Sequence, residues 1–273
     1  MTDFPKRTSY PTDMTDEEWE LYQEVFPEHC GYPGLKQPKY SVRELLNAIR
    51  YKEKTGCQWA NLPHDFPPWK HVSRYFYPWK KEGRFERFRQ LVVKETRVLE
   101  GRQETPTAGA MDSKSVPIAS TKGPKGVDGN KKIKGHKRHI LVDVLGLLLV
   151  VLITPANVAD SVAGAMLLLA ARRLYPTLKL IWADGTYRGK NLEEASAKTG
   201  IEVEIKEKPR DQKGFVPIRK RWVVERTFGW QMWSRQLSKG YDHTKSSLAA
   251  WVDIAMASLC LRRLFGQPSV FAN

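Results

Sequence analysis

The stretch IWADGTYRG, Ile181 to Gly189, limits the possible folds of this chain more than any other. The run from Leu178 to Ala183 is apolar enough to be a central strand covered on both faces, which calls for a sheet with helices packed on each side. It ends by delivering one carboxylate, Asp184, into a turn. Asp-Gly is first a turn dipeptide, so Asp184 carries functional weight only if other acids join it. Two do: Asp112 in AMDSKSV, at the end of another strand-like run, and Glu225 in RWVVERTFGW, on a helix.

The elements between these acids support that arrangement. Arg138 to Val144 and Leu147 to Ile153 read as two strands of a hairpin turning at Leu145 and Gly146. Asp160 or Ser161 caps a helix that ends near Pro176, and Asn191 to Thr199 is a short helix closed by Gly200. Ile201 to Ile205 is a further strand. A long helix from Ile218 to about Ser238 carries Glu225, and Ser246 to Phe265 is the last helix. This order predicts an α/β fold, a mixed sheet flanked by helices.

The first hundred residues differ in kind. Thr15 with Glu18, and Ser41 with Glu44, are capping-box patterns ahead of apolar helical runs, and the second run stops at Gly56. Trp69 to Lys81 and Arg84 to Leu99 read as two more helices, interrupted at Pro78. The expected organisation is a small helical, helix-turn-helix-like domain over 1–100, a linker over 101–109 and a catalytic domain over 110–273. Trp59, Trp69, Phe76 and Trp79 are expected in the core. Lys70 and Arg74 are candidates to face DNA.

Charge sharpens the contrast. The chain of 273 residues carries a formal net charge of +15, which favours a polyanionic partner such as nucleic acid. Residues 1–104 hold 18 Lys and Arg against 16 Asp and Glu, and the remainder holds 27 against 14. The basic character therefore belongs to the part with the three acids. The stretch Lys114 to Arg138 has eight basic residues against the single Asp128, and Lys206 to Arg226 has eight against three acids. The first stretch reads as a flexible loop. Both can contact a nucleic-acid backbone, which sets affinity without reading sequence.

The three cysteines are far apart and odd in number, which argues against a disulfide framework and fits a reducing compartment. No Cys-x-x-Cys or His-x-x-x-His pair accompanies His29, Cys30, Cys57 and His64 to mark a zinc site. The acid-rich first twenty residues are not a signal peptide, and Val144 to Ile153 falls short of the roughly 18 residues that span a bilayer.

Three carboxylates from different elements within a basic domain suit phosphodiester chemistry. Two divalent ions about 4 Å apart activate the attacking oxygen and stabilise the leaving one, and hard ions such as Mg²⁺ take oxygen ligands. AMDSKSV, ADGTYRG and WVVERTFGW also resemble the three acidic motifs of the DDE transposases of bacterial insertion sequences, in particular the group named after insertion sequence five. MTDEEWELYQEVFPEHCGYPG, KYSVRELLNAIRYKEKTGCQW and LPHDFPPWKHVSRYFYPWKKEG are similar to the helical region that precedes the catalytic core in that group.

The resemblance implies a ribonuclease-H-like core in which Asp112, Asp184 and Glu225 hold two Mg²⁺ ions, with Mn²⁺ able to substitute. The implied partners are double-stranded DNA, both inverted-repeat ends and target, and a second copy of the chain on that DNA. The implied location is the bacterial cytoplasm, at the nucleoid. A Tyr-x2-Arg-x3-Glu-x6-Lys signature of related transposases is matched only at Arg221 and Glu225, since Ile218 and Met232 occupy its outer positions. Arg226, Arg235 and Lys239 are the candidates for that end contact. Lys114, Lys137, Arg138 and Arg188 are further candidate DNA contacts, and His136 and His139 could orient phosphate or water. A nuclease that cuts without joining, and a DNA-binding remnant without catalysis, are the alternatives.

Overall fold

A computed structural model of the chain describes residues 7–28, 40–120, 122–206 and 222–266. Four helices come first: α1 (Asp16–Gln23), α2 (Val42–Thr55), α3 (Trp69–Lys81) and α4 (Arg84–Leu99). Thr15 and Glu18 form a reciprocal capping box, and the Ser41 hydroxyl accepts from the Glu44 N–H. Gly56 ends α2 in the left-handed conformation, which costs a residue without a Cβ little. The break between α3 and α4 falls at Gly83 and not at Pro78, which lies inside α3. Pro78 stands one turn from the helix end, so its missing N–H removes a single bond and the helix runs three residues further.

The sheet has strands β1 (Ala108–Pro117), β2 (Gly126–Asp128), β3 (Ile133–Asp143), β4 (Leu148–Pro155), β5 (Leu180–Ala183) and β6 (Glu202–Ile205). β3 pairs antiparallel with β1, and with β2 and β4; β1 pairs parallel with β5, and β5 with β6. Helix α5 (Asp160–Leu174) makes the crossover from β4 to β5, and α6 (Lys190–Thr199) leads into β6. Helices α7 (Trp222–Gln231) and α8 (Lys245–Phe265) follow. α7 lies against β1 and β3, while α5 packs on β3, β4 and α6. This is the mixed, helix-flanked sheet that the order of elements predicts.

Several local expectations change. β1 continues five residues beyond Asp112, because β3 pairs with it from Gly109 to Pro117 while its parallel partner β5 ends at Ala183. The basic stretch from Lys114 to Arg138 is not a flexible loop: it contributes the end of β1, all of β2 and half of β3. Asp128 is buried and accepts from the Ser115 hydroxyl and the N–H groups of Asn130 and Lys131. Among the described residues the helix bearing Glu225 ends at Gln231, ahead of a single 3-10 turn at Arg235–Leu237. Residues 207–221, and Arg221 among them, lie outside the described residues.

The amino-terminal helices do not stand apart. α4 lies along α8, and buried ion pairs cross the junction from Arg89 to Asp253 (2.7 Å) and from Arg97 to Asp143. Phe76 stacks on Trp251 with centroids 4.5 Å apart. Phe76 and Trp79 are core residues; Trp69 is exposed. Among the described residues no helix is long and apolar enough to cross a membrane.

Candidate active site

Side chains alternate between the faces of a sheet, and directly paired residues share one. Asp112 pairs with Ile140 and Lys114 with Arg138, so these four occupy one face. Arg138 identifies it as the α7 face, since its guanidinium donates to the Gln231 side chain (2.7 Å) and to the Leu237 carbonyl (3.1 Å). Ser113, paired with His139, and Ser115, paired with Lys137, occupy the other face. There the Ser113 hydroxyl donates to Asp160 (2.9 Å), the first residue of α5, and the Lys137 ammonium donates to Asp160 and to the Val158 carbonyl (3.2 Å each).

Asp184 follows directly on β5. The parallel pairing of β1 with β5 runs Ala108 to Leu180, Gly109 to Ile181 and Ala110 to Trp182, an offset of 72 residues. Asp112 and Asp184 are separated by the same 72. The recorded pairing stops at Ala110 and Trp182; continued by two residues, the same offset aligns Asp184 with Asp112. The β5 strand ends there because the chain turns: Asp184 caps a 3-10 turn at Gly185–Tyr187, its Oδ1 accepting from the Thr186 N–H (2.9 Å) and hydroxyl. Asp112 Oδ1 accepts from the Ser113 N–H at 2.7 Å. Both are half-buried.

Glu225 is half-buried on α7, the helix that lies on β1 and β3. α7 is held over the sheet by Thr227, whose hydroxyl donates to Gly146, and by Arg226, which donates to Leu145 (2.9 Å). Gly146 adopts φ of 80°, and a Cβ there would meet Thr227 and Trp230 at 2.9 Å, so the hairpin turn is also the seat of α7. The donor chemistry of the three acids suits a hard divalent ion. Among the described residues, however, no three His, Cys, Asp or Glu side chains stand close enough together to hold an ion unaided.

The basic candidates divide. Lys137 and Arg138 are buried and bonded within the protein, so neither is available to DNA in this arrangement. Burial lowers the Arg138 guanidinium to about 10. Lys114 is half-buried, and burial with Arg138 and Lys131 nearby lowers its ammonium. Arg226 packs between Trp222 and Trp230, with ring centroids 4.4 and 4.5 Å away. Arg188, Arg235 and Lys239 are exposed, as are Lys70 and Arg74, which lie four residues apart on α3. His136 and His139 are fully buried, and both are pushed down to about 4, chiefly by burial.

Two residues take places other than those expected from the sequence, Asp160 as a helix cap and Tyr187 as a contact toward DNA. Asp160 is not the cap of α5, a place Ala159 takes, but the acceptor shared by Ser113 and Lys137. Tyr187 is fully buried behind the carboxylates, its ring in contact range of Gly164 on α5. A signal for the first lay in the alternation of AMDSKSV, which sends Ser113 to the face opposite Asp112. For the second it lay in the small residue at the centre of α5.

Comparison with known families accords with this geometry. Residues 103–261 match the transposase DDE domain, which defines the class of the fold. Residues 14–89 match the family model for transposases of the IS4/5 family. The chain therefore belongs to the DDE transposases of the IS4/5 group. No curated protein matches it.

Proposed function

We propose that this transposase binds the inverted ends of its element, hydrolyses a phosphodiester at each, and joins the freed 3′ hydroxyl to target DNA. The observation that supports the reading is the β1–β5 register, whose 72-residue offset, continued two residues past its last pair at Ala110 and Trp182, aligns Asp112 with Asp184. In this reading Asp112, Asp184 and Glu225 are the catalytic acids. Mg²⁺ or Mn²⁺ held there would supply the charge that makes water, and later the 3′ hydroxyl, nucleophilic at neutral pH. Magnesium sites are commonly completed by water and substrate phosphates around one or two carboxylates, which suits acids that do not form a closed cage by themselves.

The chain's own contribution is placement. Thr186 pins Asp184 Oδ1 through two bonds, and the Ser113 N–H pins Asp112 Oδ1. Glu225 is carried by α7, which is seated on the β3–β4 hairpin and lies on β1 and β3. Exposed Arg188, Arg235, Lys239, Lys70 and Arg74 would contact DNA phosphates, with Arg221 as a further contact from the undescribed segment. Two ends must be held together for joining, so the active species is at least a dimer on DNA. Residues 1–100 would bind the ends, residues 101–109 link, and residues 110–273 catalyse, in a bacterial cytoplasm at the nucleoid.

Asp184→Asn tests the reading. Mg²⁺-dependent cleavage of end DNA should fall by about 10²–10³-fold or more, the scale of losing one group that meets developing charge, while binding of the same DNA persists. Cleavage at the parent rate would remove the foundation of the proposal. Pre-cleaved ends incubated with target DNA then separate a transposase, which joins them, from a nuclease, which does not.

A further inference from the structure

Among the described residues four arginines are buried: Arg50, Arg89, Arg97 and Arg138. Three of them meet a carboxylate, Arg50 with Glu18, Arg89 with Asp253 and Arg97 with Asp143. Arg138 meets none. Its acceptors are the Gln231 side chain (2.7 Å) and the Leu237 carbonyl (3.1 Å), both neutral. A buried cation without a counter-charge is costly, so stability alone does not account for a guanidinium at this place. What its two arms hold points to the reason.

Gln231 is the last residue of α7, and Leu237 is the last of the 3-10 turn that follows. Arg138 thus ties both to β3, two residues along the strand from Ile140, the pairing partner of Asp112. Buried Val224 and Phe228 draw α7 onto the sheet, but hydrophobic attraction is non-directional and leaves slide and tilt open. Directional bonds set them: Arg226 and Thr227 to the β3–β4 turn, and Arg138 to Gln231 at the helix end. The segment after α7 is also gripped by α2. Lys52 donates to the Gln236 side chain (3.0 Å), and the Ser234 hydroxyl donates to the Glu53 carbonyl (2.9 Å). Without Arg138 the end of α7 would follow α2 rather than the strand that pairs with Asp112.

Glu225 would feel such a movement. It lies two residues before Thr227, and Gln231 lies four after. At about 1.5 Å per residue, a swing on Thr227 that moves Gln231 by about 2 Å moves Glu225 by about 1 Å. Misplacement on that scale can cost about 10²-fold in rate. We propose that Arg138 is a positioning residue for Glu225: its two-armed bond to Gln231 and Leu237 fixes α7 on β3, and so sets the Glu225 carboxylate where it can share a divalent ion with Asp112. The proposal rests on the reading of Asp112, Asp184 and Glu225 as ion-holding acids.

Arg138→Lys keeps the charge but replaces the planar fork by a compact ammonium that does not reproduce its geometry. Arg138→Met combined with Gln231→Leu removes charge and tether together and leaves apolar groups of similar size, an exchange that buried ionic sites often tolerate. Where the double variant does not fold, Arg138→Lys carries the test. With the full chain saturated by end DNA, the Mg²⁺ concentration for half-maximal cleavage should rise about tenfold in both. A loss of folded protein would instead lower the rate by the same factor at every Mg²⁺ concentration; that result would make Arg138 structural and overturn the proposal. Asp184→Asn serves as the reference and should lose cleavage. If it does, and the Arg138 variants keep the parent's Mg²⁺ dependence, the positioning role falls and the carboxylate site stands. If Asp184→Asn cleaves at the parent rate, the carboxylate site falls and takes the positioning role with it.

Discussion

Helix α3 and strand β3 are both rich in cations, and they use them in opposite ways. On α3, Lys70, Arg74 and Lys81 are exposed. On β3, Lys137 and Arg138 are buried, one serving Asp160 on α5 and the other Gln231 on α7. Arg89 and Arg97 of α4 follow the β3 pattern, paired with Asp253 and Asp143 in the core. A net charge of +15 therefore overstates what the surface presents to DNA. An amphipathic helix has a wet face on which a cation is simply solvated, whereas a strand covered on both faces must supply each cation with an acceptor inside.

The largest expected effect tests the inward class. Arg97→Ala leaves Asp143, fully buried, with only the Leu145 and Leu147 N–H groups. Breaking such a pair costs about 3–5 kcal/mol, read as a lower denaturant midpoint. A loss under about 1 kcal/mol, the range of a surface pair, would place Arg97 with the outward cations.

A pH effect of intermediate size comes from the same strand. His136 is held neutral in the fold, pushed down to about 4 by burial and then by Arg138, against about 6.5 in an unfolded chain. Between those values the unfolded chain takes up a proton that the folded protein refuses. Stability present above pH 6.5 is therefore lost as pH falls, by about 1.4 kcal/mol per pH unit within the window. His139, also near 4, acts in the same sense. Asp253, raised to about 6 by burial, acts oppositely: its contribution declines as pH rises through the acid range and is gone above about 6. Urea unfolding of parent and His136→Asn at pH 7 and pH 5 should show the variant losing about 1–2 kcal/mol less on acidification. Equal losses would contradict a neutral buried imidazole.

The smallest effect on stability belongs to the outward class. Lys70→Ala with Arg74→Ala should change unfolding free energy by no more than about 0.5 kcal/mol. If both contact phosphate, the slope of log affinity against log salt for end DNA should fall by about 2. An unchanged slope would leave α3 as a packing helix with a solvated face.

Much of the fold was legible because its signals are local. Thr15 with Glu18, Ser41, Gly56 and Gly200 mark helix ends through bonds made within a few residues. The hairpin at Gly146 and the apolar β5 are equally local. The 72 residues between Asp112 and Asp184 were visible, but their meaning was not, because an offset becomes a register only once β1 and β5 are known to pair. Asp128 and Arg138 were misread as loop and DNA contact because their burial depends on Ser115 and on α7, which a basic stretch does not announce.

The amino-acid sequence by itself determined the elements, the order of the three acids and the family to which they point, since each depends on neighbours along the chain or on a motif. Tertiary structure alone decided which face each strand residue occupies, which cations are kept inside, and that Tyr187 is buried against Gly164 of α5. Those outcomes follow from strand pairing and from the need to satisfy buried polar groups, which no stretch of chain meets on its own.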